Sequence, residues 1–139
     1  MTDAPPVWVP SESAFRTSSG SSFALLGSSC PACGSAAFPR QEWCAQCLNG
    51  PGLDPYDVAM TGTLYSFTEV HAAPARFDPP YVLAYIDLDD GLRVLARGAP
   101  SAGDLRADQK VRLVRGRIGT TPGGDPMNSY VFEEMSGVA

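Results

Sequence analysis

The sequence predicts a mostly β chain with very little helix, and three observations carry that prediction. From Thr61 onward, apolar and polar residues alternate in short runs rich in Val, Ile, Tyr and Phe, the period-two pattern of half-buried strands. The 139 residues include 13 Pro and 14 Gly, which interrupt any long helix. The 4 Cys all fall between positions 30 and 47, in a stretch with room for turns and for no long regular element.

Composition narrows the function classes. A hydrophobic content of 44% over 139 residues is that of one globular domain or two very small ones. Ten basic residues against 15 acidic ones give a formal charge of −5, the wrong overall sign for a phosphate backbone. No run approaches the roughly 18 apolar residues of a membrane helix, so no membrane partner is expected. The start, MTDAPPVWVP, has neither the basic n-region nor the apolar core of a secretory signal, and the reading is cytoplasmic, where thiols stay reduced.

Residues 1–29 read as an N-terminal arm. Pro5, Pro6, Pro10 and the Ser/Gly run Ser18–Ser22 are linker-like, but Trp8, Phe15 and Phe23 give parts of it something to dock with. SESAFR has the form of one short capped helix.

Residues 30–55 hold the cysteines. Cys30-Pro-Ala-Cys33-Gly34 and Cys44-Ala-Gln-Cys47 are two C-x-x-C pairs with ten residues between them. A two-residue spacer lets both sulfurs of a pair point inward from one turn, and Gly34 permits the positive φ that such a turn needs after its second Cys. Two facing turns make a tetrahedral S₄ cage of the kind structural zinc prefers. All four ligands would come from the chain, so no position stays open for water or substrate, and the site reads as structural. A rubredoxin-like iron site uses the same four thiolates, which keeps an electron carrier as an alternative. Zinc with four thiolates carries a further −2, taking the formal −5 to about −7.

Residues 56–139 read as the barrel. TGTLYSFTEV opens it, and YVLAYIDLD places Val82, Ala84, Ile86 and Leu88 on one face. Asp89-Asp90-Gly91 is a hairpin turn into LRVLARGA, followed by KVRLVRGRIG and SYVFEEM. SAGDLRADQ, between the third and fourth strands, reads as a helical turn. Five strands with a short helix after the third is the order of a five-stranded OB-fold barrel, one of the small barrels this spacing allows.

The order of these pieces resembles a known family. An aromatic arm is followed by C-P-x-C-G, then Phe38-Pro39-Arg40, a second C-x-x-C, the strand Gly62–Thr68 (GTLYSFT) and YVLAYIDLDDG. This resembles the DUF35 proteins, a rubredoxin-like zinc ribbon followed by an acyl-CoA-associated OB-fold, over about residues 14–135. The resemblance implies a non-catalytic accessory subunit of a thiolase-like enzyme, a lipid-transfer aldolase or a related acyl-CoA enzyme. It implies a hetero-oligomer in which this chain helps form the CoA-thioester channel, with structural zinc on Cys30, Cys33, Cys44 and Cys47. Two stretches depart from the family pattern: the Ser/Gly run after Phe15-Arg16, and the long exit Leu48–Gly52.

No catalytic residues are expected. His71 is the only His and has no nucleophile beside it in sequence, and Asp87, Asp89 and Asp90 read as a solvated hairpin tip. The alternative function is nucleic-acid binding, with Arg93, Arg97, Arg106, Arg112, Arg115 and Arg117 tracking phosphates; the acidic chain argues against it. For contact with a partner or with CoA, the candidates are Trp8, Phe15, Arg40 and Trp43, together with Arg76 and Phe77 of the Pro-rich loop Ala72–Pro80.

Overall fold

The computed structural model describes residues 7–8, 14–17, 23–98 and 105–135. Ten strands follow in chain order: β1 (Val7–Trp8), β2 (Phe15–Thr17), β3 (Phe23–Ser29), β4 (Ala36–Ala37), β5 (Asp54–Asp57), β6 (Thr61–Val70), β7 (Tyr81–Leu88), β8 (Arg93–Gly98), β9 (Lys110–Thr120) and β10 (Pro126–Glu134). A 3-10 turn, Ala75–Phe77, lies between β6 and β7.

Strands β6–β10 close a barrel. The order is β10-β8-β7-β6-β9, and β9 pairs back onto β10. β8 and β10 run parallel through Val131↔Arg97, and the other pairs within the barrel are antiparallel. This is the five-stranded OB arrangement the strand order predicts. Its interior is the alternating set of the sequence pattern: Leu64, Val82, Ile86 and Val111 are fully buried, with Ala84, Leu88, Val94, Ala96, Leu113 and Phe132 around them. Gly119 lets the β6–β7 loop lie close on β9, because a Cβ there would sit 2.5 Å from the carbonyl oxygen of Arg76.

The ribbon is built on β3, which pairs antiparallel with β2, β4 and β5. β3 lies in the segment expected as arm, and its apolar residues explain the difference: Leu25 is fully buried and, with Phe15 and Val58, belongs to the same core as the barrel interior. The expected SESAFR helix gives way at Phe15–Thr17 to strand, since pairing with β3 buries the Phe15 ring; residues 11–13 lie outside the described residues. The expected helical turn after the third barrel strand is likewise absent from Leu105–Gln109. Asp108 there has φ +71, and its N–H donates to the Leu64 carbonyl at 2.7 Å; positions 101–104 lie outside the described residues. β1 adds a short parallel pairing to β10, which sets the Trp8 backbone beside Asn128.

Two side chains tie ribbon to barrel. Tyr130 of β10 sits edge-on to Phe38 at 5.6 Å and tilted against Phe15 at 6.4 Å, while its hydroxyl donates to the Leu95 carbonyl at 2.8 Å. Asp90, at the β7–β8 turn, accepts from the Tyr56 hydroxyl at 2.6 Å, the Ala59 N–H at 2.9 Å and the Leu92 N–H at 3.1 Å. Burial raises the Asp90 carboxyl, but those three donors outweigh it and hold the group below its ordinary value; the contact pushes the Tyr56 hydroxyl up to about 12. The hairpin-tip carboxylates are therefore structural. Asp87 pairs with Arg93 at 2.6 Å, and Asp89 accepts from the Thr61 hydroxyl.

Candidate metal centre and docking residues

The two C-x-x-C turns have the same backbone construction. In the first, the Gly34 N–H donates to the Cys30 carbonyl and the Cys30 N–H to the Ser35 carbonyl, both at 2.8 Å. In the second, Leu48 donates to Cys44 and Cys44 to Asn49, again at 2.8 Å. The residue after each pair has positive φ, +80 at Gly34 and +65 at Leu48. Gly adopts that conformation freely; Leu48 adopts it at a steric cost with its side chain 73% exposed.

These turns bring the four sulfurs within 4.8 Å of one another, with Cys30–Cys47 and Cys33–Cys44 each at 3.6 Å. Thiolates about 2.3 Å from a shared tetrahedral zinc sit about 3.8 Å apart, so the cage has the right size. Its electrostatics call for a cation. The hydroxyl and N–H of Ser35 lower the Cys33 thiol to about 6, and the Cys33 N–H lowers Cys30. The Asn49 N–H pulls Cys47 down as well, but the neighbouring sulfur of Cys30, burial, and the sulfurs of Cys33 and Cys44 push it up to about 12. Four sulfurs this close cannot all ionise unless a positive ion sits among them. The donor set and geometry fit structural zinc, with Asn49 Nδ2 3.7 Å from the Cys30 sulfur in support.

The other sequence candidates are dispersed. Phe15 is buried, stacked on Phe23 at 5.5 Å, so its ring serves the chain's own core. Trp8 lies in β1, and Arg40 is exposed at the ribbon surface beside Glu42 and Leu53. Trp43 is 54% exposed on the ribbon, against Gly50. Arg76 is exposed, its guanidinium 4.6 Å over the Phe77 ring. His71 is exposed and contacts only Glu69 among the contacts described, at 3.2 Å. Of the basic residues, Arg93 pairs with Asp87, Arg112 pairs with Glu133, and Arg97 lies in a groove.

Sequence reasoning missed that groove. It runs between Pro39 of the ribbon and the barrel, with Phe77, Tyr81, Leu83, Leu95, Arg97, Ile118 and Tyr130 in its walls and a volume of about 380 Å³. The available signal was β7 itself, in which Tyr81, Leu83 and Tyr85 face outward opposite the buried Val82, Ala84 and Ile86. An antiparallel strand with one wet face alternates apolar with polar residues, so apolar residues on the outer face of β7 mark a surface with a further contact to make.

A Cys₄ ribbon whose central strand shares its core with a closed OB barrel defines a class of zinc-ribbon/OB-fold proteins. Family models for the two ChsH2 modules match in that order: the rubredoxin-like zinc ribbon domain over residues 19–53 and the C-terminal OB-fold domain over residues 56–116. The chain belongs to this DUF35 family. It is 32% identical over 111 residues to benzoylsuccinyl-CoA thiolase subunit BbsA of Thauera aromatica, covering 80% of this chain and 76% of that one. It is 34% identical over 74 residues to a DUF35 domain-containing scaffold protein of Methanocaldococcus jannaschii, covering 52% of each. Among solved structures, the Ltp2-ChsH2(DUF35) aldolase aligns with a TM-score of 0.57 at 26% identity, over 76% of this chain and 84% of that one.

Proposed function

We propose that this chain is a non-catalytic accessory subunit of a cytoplasmic acyl-CoA enzyme. The partner is a thiolase-superfamily enzyme, or a related lipid-transfer aldolase, held in a hetero-oligomer. The observation that carries the reading is the likeness to a thiolase subunit across 80% of the chain, spanning both ribbon and barrel. The chemistry of the chain agrees. Its cysteines form a closed ligand set, and its one His sits exposed beside a carboxylate, so neither supplies a base–nucleophile pair. In this reading the partner holds the catalytic residues, and this chain helps form the channel for the CoA thioester. Trp8 and Trp43 are proposed for partner contact. Arg40 and Arg76 are exposed cations suited to the CoA phosphates, with Phe77 beside Arg76.

The test is affinity purification of the tagged chain from its native host, with the captured protein identified by mass spectrometry and assayed alone and with the chain. A thiolase-family or related CoA-dependent enzyme whose thioester turnover rises when the chain is present is the expected result. Capture of no such enzyme, or one indifferent to the chain, overturns the reading.

A further inference from the structure

The outer face of the barrel carries a feature that the metal site and the accessory role do not use. Tyr65, Tyr85 and Leu95 are 53%, 47% and 46% exposed. They lie side by side: Tyr85 pairs across strands with Leu95, and Tyr65 sits at the bulge where Ser66 opposes Tyr85. Three large apolar side chains in a row across three strands are more than scattered surface residues. Leu95 also forms one wall of the groove described above, so the row runs directly into a recess.

At the back of that recess is Arg97. Its guanidinium lies 4.1 Å over the Tyr81 ring, and one nitrogen donates to the Ile118 carbonyl. Arg93 and Arg112 have carboxylates at 2.6 Å; Arg97 has no ion pair among the described residues, and Asp78 and Arg117 act on it only through space, with opposite signs. A guanidinium held by its aromatic stack and a carbonyl, inside an apolar recess, still has N–H groups to give to an anion. A flat apolar row leading to a pocket with a positioned Arg is the anatomy of an interface hot spot.

We propose that the outer face of β7 and β8 is where the partner enzyme docks, with an apolar side chain of the partner entering the recess and a neighbouring carboxylate of the partner meeting Arg97. The proposal rests on the accessory-subunit reading and assigns that role a surface and a partner chemistry. Charge complementarity selects the occupant: a purely apolar segment would leave the guanidinium without an anion, whereas a carboxylate beside the entering side chain supplies one.

The test uses the full chain and the purified thiolase-family enzyme identified with it, by isothermal titration. Leu95→Asp and Tyr85→Asp are expected to weaken binding by about 30-fold or more, as for hot-spot residues. Arg97→Gln is expected to weaken it about tenfold and to reduce its sensitivity to salt, whereas Arg112→Gln, on the opposite side of the barrel, leaves it unchanged. Leu95 and Tyr85 are exposed, so circular dichroism and metal content of their variants should match wild type. Failure of the wild-type chain to bind any acyl-CoA enzyme overturns the accessory reading and this assignment with it. A wild-type complex that Leu95→Asp and Arg97→Gln form equally well overturns the assignment alone. So does a dimer of the isolated chain that Leu95→Asp dissolves, because the occupant would then be a second copy.

Discussion

The ribbon and the barrel solve the same problem by different means. The barrel encloses a continuous apolar interior, from Leu64 and Ile86 to Val111 and Phe132, and alternation along five strands is enough to make it. The metal-bearing half of the ribbon encloses almost nothing: Cys33, Trp43, Cys47 and Leu48 are all exposed, and its order comes from two hydrogen-bonded turns around four sulfurs. A small module without a core needs a staple, and the thiolate cluster provides it. Yet the two regions are not independent. Leu25, Val58 and Phe15 on the ribbon side pack into the barrel's core, and Tyr130 and Asp90 reach across the junction. The dividing line in energetic terms runs through the ribbon, between its metal turns and its β-sheet.

The sharpest way to break that comparison is to remove the metal. Zinc binding to such a site contributes on the order of 10 kcal/mol, so Cys44→Ser, or a strong chelator, should unfold the Cys30–Gly52 turns and abolish metal binding. Strand signal from the barrel should persist in far-ultraviolet circular dichroism, and elemental analysis of the wild type should find zinc. Loss of all strand signal in one step would show that ribbon and barrel form a single cooperative unit; iron in place of zinc would restore the electron-carrier alternative.

The converse experiment attacks the core. Ile86→Ala leaves a cavity in the fully buried barrel interior and should cost about 2–5 kcal/mol in urea unfolding, with metal content per folded chain unchanged. Metal loss in the folded fraction would mean that the turns depend on the barrel.

The junction gives a smaller and pH-dependent effect. Asp90→Asn should cost about 1–2 kcal/mol at neutral pH, because the Tyr56, Ala59 and Leu92 donors lose a charged acceptor. The Asp90 carboxyl is lowered in the folded state, so its contribution is complete above the ordinary carboxylate value of about 3.9 and is lost as pH falls from there through the lowered folded value. Urea midpoints of wild type and variant should therefore converge below about pH 4. A gap that stays constant in acid would mean the carboxylate charge is not what holds the junction.

The smallest change concerns the two metal turns themselves. Leu48→Gly relieves a left-handed residue at the position equivalent to Gly34, and should stabilise the metal turn by about 0.5–1 kcal/mol, read as slower metal loss to a competing chelator. Faster loss would show that the exposed Leu48 side chain makes a stabilising contact.

Much of this architecture is written locally. The spacing of Cys30, Cys33, Cys44 and Cys47 specified the metal cage, because two residues between cysteines leave the turn few ways to close. The alternation from Thr61 to Glu134 specified five strands and their inward faces, because side chains in a strand alternate whatever their neighbours do. Where propensity was weak, tertiary pairing won: Phe15 and Arg16, at the end of SESAFR, are strand because β3 offers Phe15 a partner and a core. Three further things depended on residues distant in sequence meeting in space. Phe15 went to the chain's own core, Tyr130 became the link between Phe38 and the Leu95 carbonyl, and Arg97 came to lie in a recess over the Tyr81 ring and beside Leu95, with no ion pair among the described residues. The sequence by itself determined the metal ligands, the five barrel strands and which way each of those strands faces, since these follow from spacing and period. Only the tertiary structure decided which outward-facing residues stay uncovered, because exposure is set by what the rest of the chain leaves over them.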